Sequence, residues 1–245
     1  MRPIAARGFM PESTTRIASH TEVVLFDFNG VIVDDEEQHR AALTSVLGDA
    51  GIPLTRDQYY GEYLGWNDEM CFVTAFRSAE KDLTATRLAE LVREKSRRYE
   101  ELIRRSLLLV PGAGEFVDRA AGSFRLGIVS GALRREIELV LEHTGLQRHF
   151  EVIVSAEDVG ACKPDPAGYL RAHAALGTRR AVAPAACIAI EDSLPGMAAA
   201  KAAGMRCVML TTSHSQETLN GEGAEFVWTS FTGHDPRELL TLGRR

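Results

Sequence analysis

Asp27, Ser130, Lys163 and Asp192 are the side chains of this sequence best suited to chemistry, although they lie far apart along the chain. Three of them close short apolar runs, over 23–26, 126–130 and 187–190, and Lys163 lies in the loop Gly160-Ala161-Cys162-Lys163-Pro164-Asp165-Pro166. Two carboxylates, one hydroxyl and one ammonium at a common edge would suit a metal ion and a phosphate together. Carboxylates are the hard oxygen ligands that Mg²⁺ takes alongside water and substrate oxygens. The hydroxyl, the ammonium and the backbone N–H groups of Gly131 and Ala132 are donors for phosphoryl oxygens. Each residue alone also has a plain structural reading. Asp27 can open a turn, and Ser130 before Gly131 can cap one. Lys163 can be a solvated surface lysine, and Glu191-Asp192-Ser193 can cap the helix that follows. Asp165 before Pro166 reads as a helix N-cap with proline at the first helical position. The conjunction of the four points to a site.

The elements that must position these groups follow from the hydrophobic pattern. Val23-Val24-Leu25-Phe26 ends abruptly in Asp27-Phe28-Asn29-Gly30, as a buried strand of a parallel sheet ends in a turn. A helix should follow, opened by Asp34 or Asp35, with Leu43, Val46 and Leu47 on its apolar face. From Gly51 to Leu109 only helical periods occur, the clearest over 86–105 with a stripe of Leu88, Leu91, Val92, Tyr99, Leu102 and Ile103. After Pro111-Gly112 the pattern alternates again, with strands expected over 126–130, 152–155, 187–190 and 206–210, and a short last one over 226–228. An Ala-rich helix after Pro195 should stop at Gly204. Strands alternating with helices predict an α/β fold, a doubly wound parallel sheet in a Rossmann-like core, with an inserted helical domain. Ligands of such sheets collect beyond the carboxyl ends of the strands, where Asp27, Ser130 and Asp192 are placed.

Bulk properties narrow the partners. The chain has 245 residues with 45% hydrophobic and 25% charged residues, enough for a sizeable core. A net charge of -6 speaks against nucleic acid. Arg97, Arg98, Arg104 and Arg105 are interleaved with Glu94, Glu100 and Glu101, which reads as a solvated helix face. Cys71, Cys162, Cys187 and Cys207 form no CxxC pair, so reduced thiols and a cytoplasmic location are expected. No run suits a membrane span, and residues 1–20 read as a flexible tail.

Together the motifs resemble those of the haloacid dehalogenase superfamily, in the branch of β-phosphoglucomutase-like phosphatases. Asp27-Phe28-Asn29-Gly30-Val31 is similar to its first motif, Ile128-Val129-Ser130-Gly131 to the second, Lys163-Pro164-Asp165-Pro166 to the third and Ile190-Glu191-Asp192-Ser193-x-x-Gly196 to the fourth. The match in order runs from Glu22 to Leu210. It implies a catalytic core of residues 21–36 and 109–245, with residues 37–108 as a helical cap. It also implies an aspartyl-phosphate on Asp27, with Mg²⁺ held by Asp27, the Asn29 main-chain carbonyl and Asp192, and Glu191 nearby. Ser130 and Lys163 would bind the transferring group of a small phosphorylated metabolite. Oligomeric state is left open.

One position departs from the family pattern. The residue two after the nucleophile is normally an Asp that protonates the leaving alcohol and then deprotonates water; here it is Asn29. Losing a general acid/base lowers rate by about 10²–10⁴, so a slow hydrolase is expected. Four explanations stand open at this level. The substrate can have a good leaving group, or His39 can substitute, although a His on the first turns of a helix also suits a hinge or a surface. Asn29-Gly30 can deamidate, or the residue marks an engineered change or a phosphometabolite-binding protein with lost catalysis. The cap loop Leu64-Gly65-Trp66-Asn67-Asp68-Glu69 lacks the lysine of phosphonate-cleaving relatives. Sugar-phosphate mutases carry basic or hydroxyl residues after that glycine, where Trp66, Asn67 and Asp68 stand here. Trp66 suits either stacking on a substrate or packing between helices.

Overall fold

A computed structural model describes residues 21–64, 66–178 and 181–242. The expected tail over 1–20 and Gly65 of the cap loop lie outside the described residues.

The first strand, β1 (Val23–Phe26), is buried along its whole length because both faces are covered. Val24 and Phe26 enter one apolar cluster and Val23 and Leu25 another, the period-two division expected of a central parallel strand. Next come α1 (Glu36–Asp49), the short α2 (Arg56–Gln58) running into one π-helical turn (Tyr59–Tyr63), α3 (Asp68–Ser78) and α4 (Ala85–Arg105). These helices pack around a third apolar cluster that includes Leu43, Leu47, Phe72, Phe76 and Leu91. The alternation then resumes with α5 (Ala113–Ala120), β2 (Arg125–Val129), α6 (Arg134–Thr144), β3 (Phe150–Val154) and α7 (Ala167–Gly177). It closes with β4 (Cys187–Glu191), α8 (Leu194–Ala202), β5 (Arg206–Leu210), α9 (Gln216–Gly221) and β6 (Phe226–Trp228).

All six strands are parallel, in the order β3-β2-β1-β4-β5-β6. The chain winds away from β1 in both directions, so the crevice beyond β1 and β4 is where a ligand is expected. Register decides what meets there. Phe26 pairs with Ile128 on one side and Ile190 on the other. The next residues, Asp27, Val129-Ser130 and Glu191-Asp192, therefore leave the sheet side by side.

Strands β2 and β3 begin and end earlier than expected, so that Ser130 and Ser155 lie just outside them, and three further local expectations are corrected. Asp35 occupies the N-cap position of α1 but makes no capping bond, because its carboxylate turns inward. Pro166, not Asp165, is the N-cap of α7; Asp165 instead accepts from the Ala167 N–H at 2.8 Å. Glu100 is buried and pairs with Arg135, so it leaves the solvated face on which Glu94 and Glu101 hold Arg97.

Candidate active site

At the end of β1 the Asp27 carboxylate is buried, and its Oδ1 accepts from the Phe28 N–H at 2.7 Å and lies 2.9 Å from Lys163 Nζ. Lys163 is 16% exposed and also lies 2.6 Å from Glu191 Oε1, so it is a partner of the strand ends and not a surface lysine. Glu191 is further fixed by the Tyr169 hydroxyl on Oε1 (2.6 Å) and the Ser193 hydroxyl on Oε2 (3.1 Å). Ser193 does cap α8, through the Gly196 N–H, while Glu191 and Asp192 face the site. Gly196 is required for this: a Cβ there would lie 2.0 Å from the Glu191 carboxylate.

Asp192 is buried and accepts from the Ser213 hydroxyl in the loop after β5. Gly30 carries a φ of +68°, and a Cβ on it would sit 1.9 Å from Asp192 Oδ2. Only glycine admits both that backbone and that approach. Asp27, Glu191 and Asp192 each offer an oxygen within 4.8 Å of the others. Burial first, and then the facing Glu191, push Asp27 up to about 7. Burial with the charges of Asp27 and Glu191 holds Asp192 well above the carboxylate range. Burial opposes the charge of Lys163, but Asp27 and Glu191 outweigh it and keep the ammonium protonated. Three carboxylates against one ammonium leave two negative charges when all are ionised. A hard-oxygen set with that deficit fits a divalent cation of the Mg²⁺ type.

Ser130 stands beyond β2, where its Oγ accepts from the Ala132 N–H at 3.1 Å and lies 3.5 Å from Asn29 Oδ1. The Ala132 N–H thus orients the hydroxyl, and Gly131 lines the same cavity. The Asn29 amide is held from behind. Its Nδ2 donates to Asp35 Oδ2 at 2.9 Å and lies 2.9 Å from His39 Nε2. Asp35 also accepts from the Tyr99 hydroxyl, and His39 Nδ1 lies 2.6 Å from Lys95 Nζ. His39 is therefore an inward-facing member of a polar network and not a surface residue.

A cavity of about 610 Å³ lies between these strand ends and the helices, and all of Asp27, Asn29, His39, Ser130, Lys163 and Asp192 line it. Lys95 and Glu136, which belong to no sequence motif, line it too. Lys95 is only 1% exposed and lies 2.9 Å from Asp68 Oδ1 and 3.7 Å from Glu136 Oε1. The signal was available: Lys95 falls between Leu91 and Tyr99 in the apolar stripe of α4, where a charge needs a buried partner. Trp66 is 39% exposed beside the cavity, with its ring 5.7 Å from that of Tyr63.

Residues 24–210 match the family of haloacid dehalogenase-like hydrolases. This chain belongs to that family. The hydrolase is similar to β-phosphoglucomutase of Bacillus subtilis (strain 168), at 31% identity over 76% of this chain and 82% of that protein. It is similar to hexitol phosphatase B of Escherichia coli (strain K12), at 29% identity over 88% of this chain and 95% of that protein. Among solved structures it resembles CbbY from Rhodobacter sphaeroides in complex with phosphate, with TM-score 0.77 and 26% identity over 87% of this chain and 96% of that one. The hydrolase shares the doubly wound core of these relatives. Among its described residues no helix is long and apolar enough to cross a membrane.

Proposed function

We propose that this hydrolase is a Mg²⁺-dependent phosphatase that removes phosphate from a small metabolite by way of an aspartyl-phosphate on Asp27. The observation that carries the reading is the cluster of Asp27, Glu191 and Asp192 at adjoining strand ends, with Lys163 against the first two. Asp27, Asp192 and the Asn29 main-chain carbonyl would hold the ion, which would supply charge for the phosphoryl oxygens. Glu191 is committed to Lys163, Tyr169 and Ser193, and acts by fixing the lysine.

Asp27 Oδ1 is occupied by Phe28 and Lys163, so Oδ2 is the nucleophile. It bonds to phosphorus as the ester P–O bond breaks, and the organic part leaves as an alkoxide that takes its proton from water. Ser130 and Lys163 donate to the transferring oxygens, where fixed donors stabilise spread negative charge. Water then attacks the phosphorus as the Asp27 O–P bond breaks, its proton passing to the solvent or to the released phosphate, and the Asp27 carboxylate is restored. Asn29 neither gives the first proton nor takes the second, so release from Asp27 is slow. Residues 37–108 act as the cap over a core of 21–36 and 109–245. The four free thiols among the described residues suit a reducing, cytoplasmic compartment.

A second reading rests on Asn29 alone: a binding protein for phosphorylated metabolites that keeps the site without turnover. Single-turnover assays with acetyl phosphate and a sugar phosphate separate the two. Phosphate release from either supports the phosphatase. Binding that survives Asp27→Ala, with no release from any donor, supports the binder. A sugar-phosphate mutase would instead return an isomerised sugar phosphate and little free phosphate.

A further inference from the structure

The cavity as a whole carries an unusual charge balance. Eight Asp or Glu side chains line the cavity against two lysines, with no arginine among the described lining residues. Both lysines are committed: Lys163 to Asp27 and Glu191, and Lys95 to Asp68 and His39. No described lining cation is left to receive a second phosphate.

Glu136 adds an independent observation. Its side chain is 1% exposed, it lines the cavity, and its Oε1 has no hydrogen-bond partner. Lys95 is the nearest cation but stays 3.7 Å away because Asp68 and His39 hold it. A buried carboxylate oxygen without a donor is a costly arrangement that a ligand N–H would relieve. Exposed Glu69 and Trp66 line the same cavity, and an indole ring can attract a cation.

We infer that the cavity selects phosphate compounds whose organic part bears a positively charged amine, received by the free Oε1 of Glu136 with Glu69 and Trp66 around it, and disfavours bisphosphates. The inference rests on the phosphatase reading for the placement of phosphate at Ser130 and Lys163. It names what occupies the other end. An ammonium donates to the carboxylate oxygen that no hydrogen bond reaches, whereas a second phosphate meets like charges.

The test separates recognition from turnover. Phosphonates carry a P–C bond that the phosphatase step does not break, so their affinity reports the cavity alone. Calorimetric titration of the full chain with Mg²⁺ would compare 3-aminopropylphosphonate, its isostere butylphosphonate and propane-1,3-diylbisphosphonate. The amine is expected to bind about tenfold tighter than the isostere, the gain of one charge-assisted hydrogen bond, and the bisphosphonate weakest. Glu136→Gln should erase most of the amine preference. Glu69→Gln, at an exposed position that the fold tolerates, should reduce it by about threefold. Equal affinity for amine and isostere, or tightest binding of the bisphosphonate, overturns the inference. So does an amine preference that both variants retain. Phosphate release from O-phosphoethanolamine is measured separately: its absence with the amine preference intact defeats the phosphatase reading and leaves the recognition standing.

Discussion

Two lysines of this hydrolase, one buried and one half-buried, sit among carboxylates on different foundations. Lys163 reaches Asp27 and Glu191, which lie on or beside the adjoining strands β1 and β4 and are held by the sheet's own hydrogen bonds. Lys95 lies on α4 and meets Asp68 of α3, Glu136 of α6 and His39 of α1, four helices with no common backbone register. Strand ends in register hold reacting atoms to within fractions of an ångström, which phosphoryl transfer requires. Side chains on separate helices can shift with whatever fills the space between them. The first cluster has the rigidity of a reaction centre, and the second has the setting of a selecting wall.

That contrast breaks or sharpens under substitution. The largest effect is expected for Asp27→Ala, which should lower phosphate release by at least about 10⁴-fold in a steady-state assay with the melting curve nearly unchanged. Asn29→Asp should act in the opposite direction, raising turnover by about 10²–10⁴. The new carboxylate would stand beside Asp35, whose charge favours its protonated form, the form a general acid needs. Unchanged turnover would mean that another group already moves the proton. Lys95→Met should act on stability, because it strands Asp68 and Glu136 without their cation. A loss of about 3–5 kcal/mol is expected in urea denaturation. Asp192→Asn should be mildest, weakening half-saturation by Mg²⁺ by about 10–100-fold while the fold persists. If Lys95→Met left stability intact, Lys95 would not be the cation that holds Asp68 and Glu136 in the helical cluster.

The two regions also differed in legibility. Strand ends announce themselves: a run of four or five apolar residues that stops at a polar one is visible in the chain, and Asp27, Ser130 and Asp192 were found that way. Lys163 was found through its loop motif, since nothing local to a lysine tells whether it points inward. Asp34 or Asp35 reads as a helix cap because caps are what an Asp before a helix usually provides, and only tertiary packing turns Asp35 toward Asn29 and Tyr99. Glu100 was assigned to solvent by its charged neighbours, whereas its partner Arg135 lies 35 residues away on α6. Lys95 and Glu136 come together only when α4 crosses α6, a contact with no trace in either helix except a charge in an apolar stripe. Register carries the chemistry into the sequence, while the selecting wall is a product of helix packing.

The central claim is that Asp27 carries the phosphoryl group and that Asn29 slows its release. Intact-mass measurement after brief exposure to acetyl phosphate and Mg²⁺ tests this most directly, and the same spectrum reports any deamidation of Asn29. The expected result is a chain heavier by one phosphoryl group, mapped to Asp27, that decays slowly and much faster in Asn29→Asp. An unmodified chain under conditions where phosphate is released, or an adduct that Asp27→Ala retains, would contradict the account.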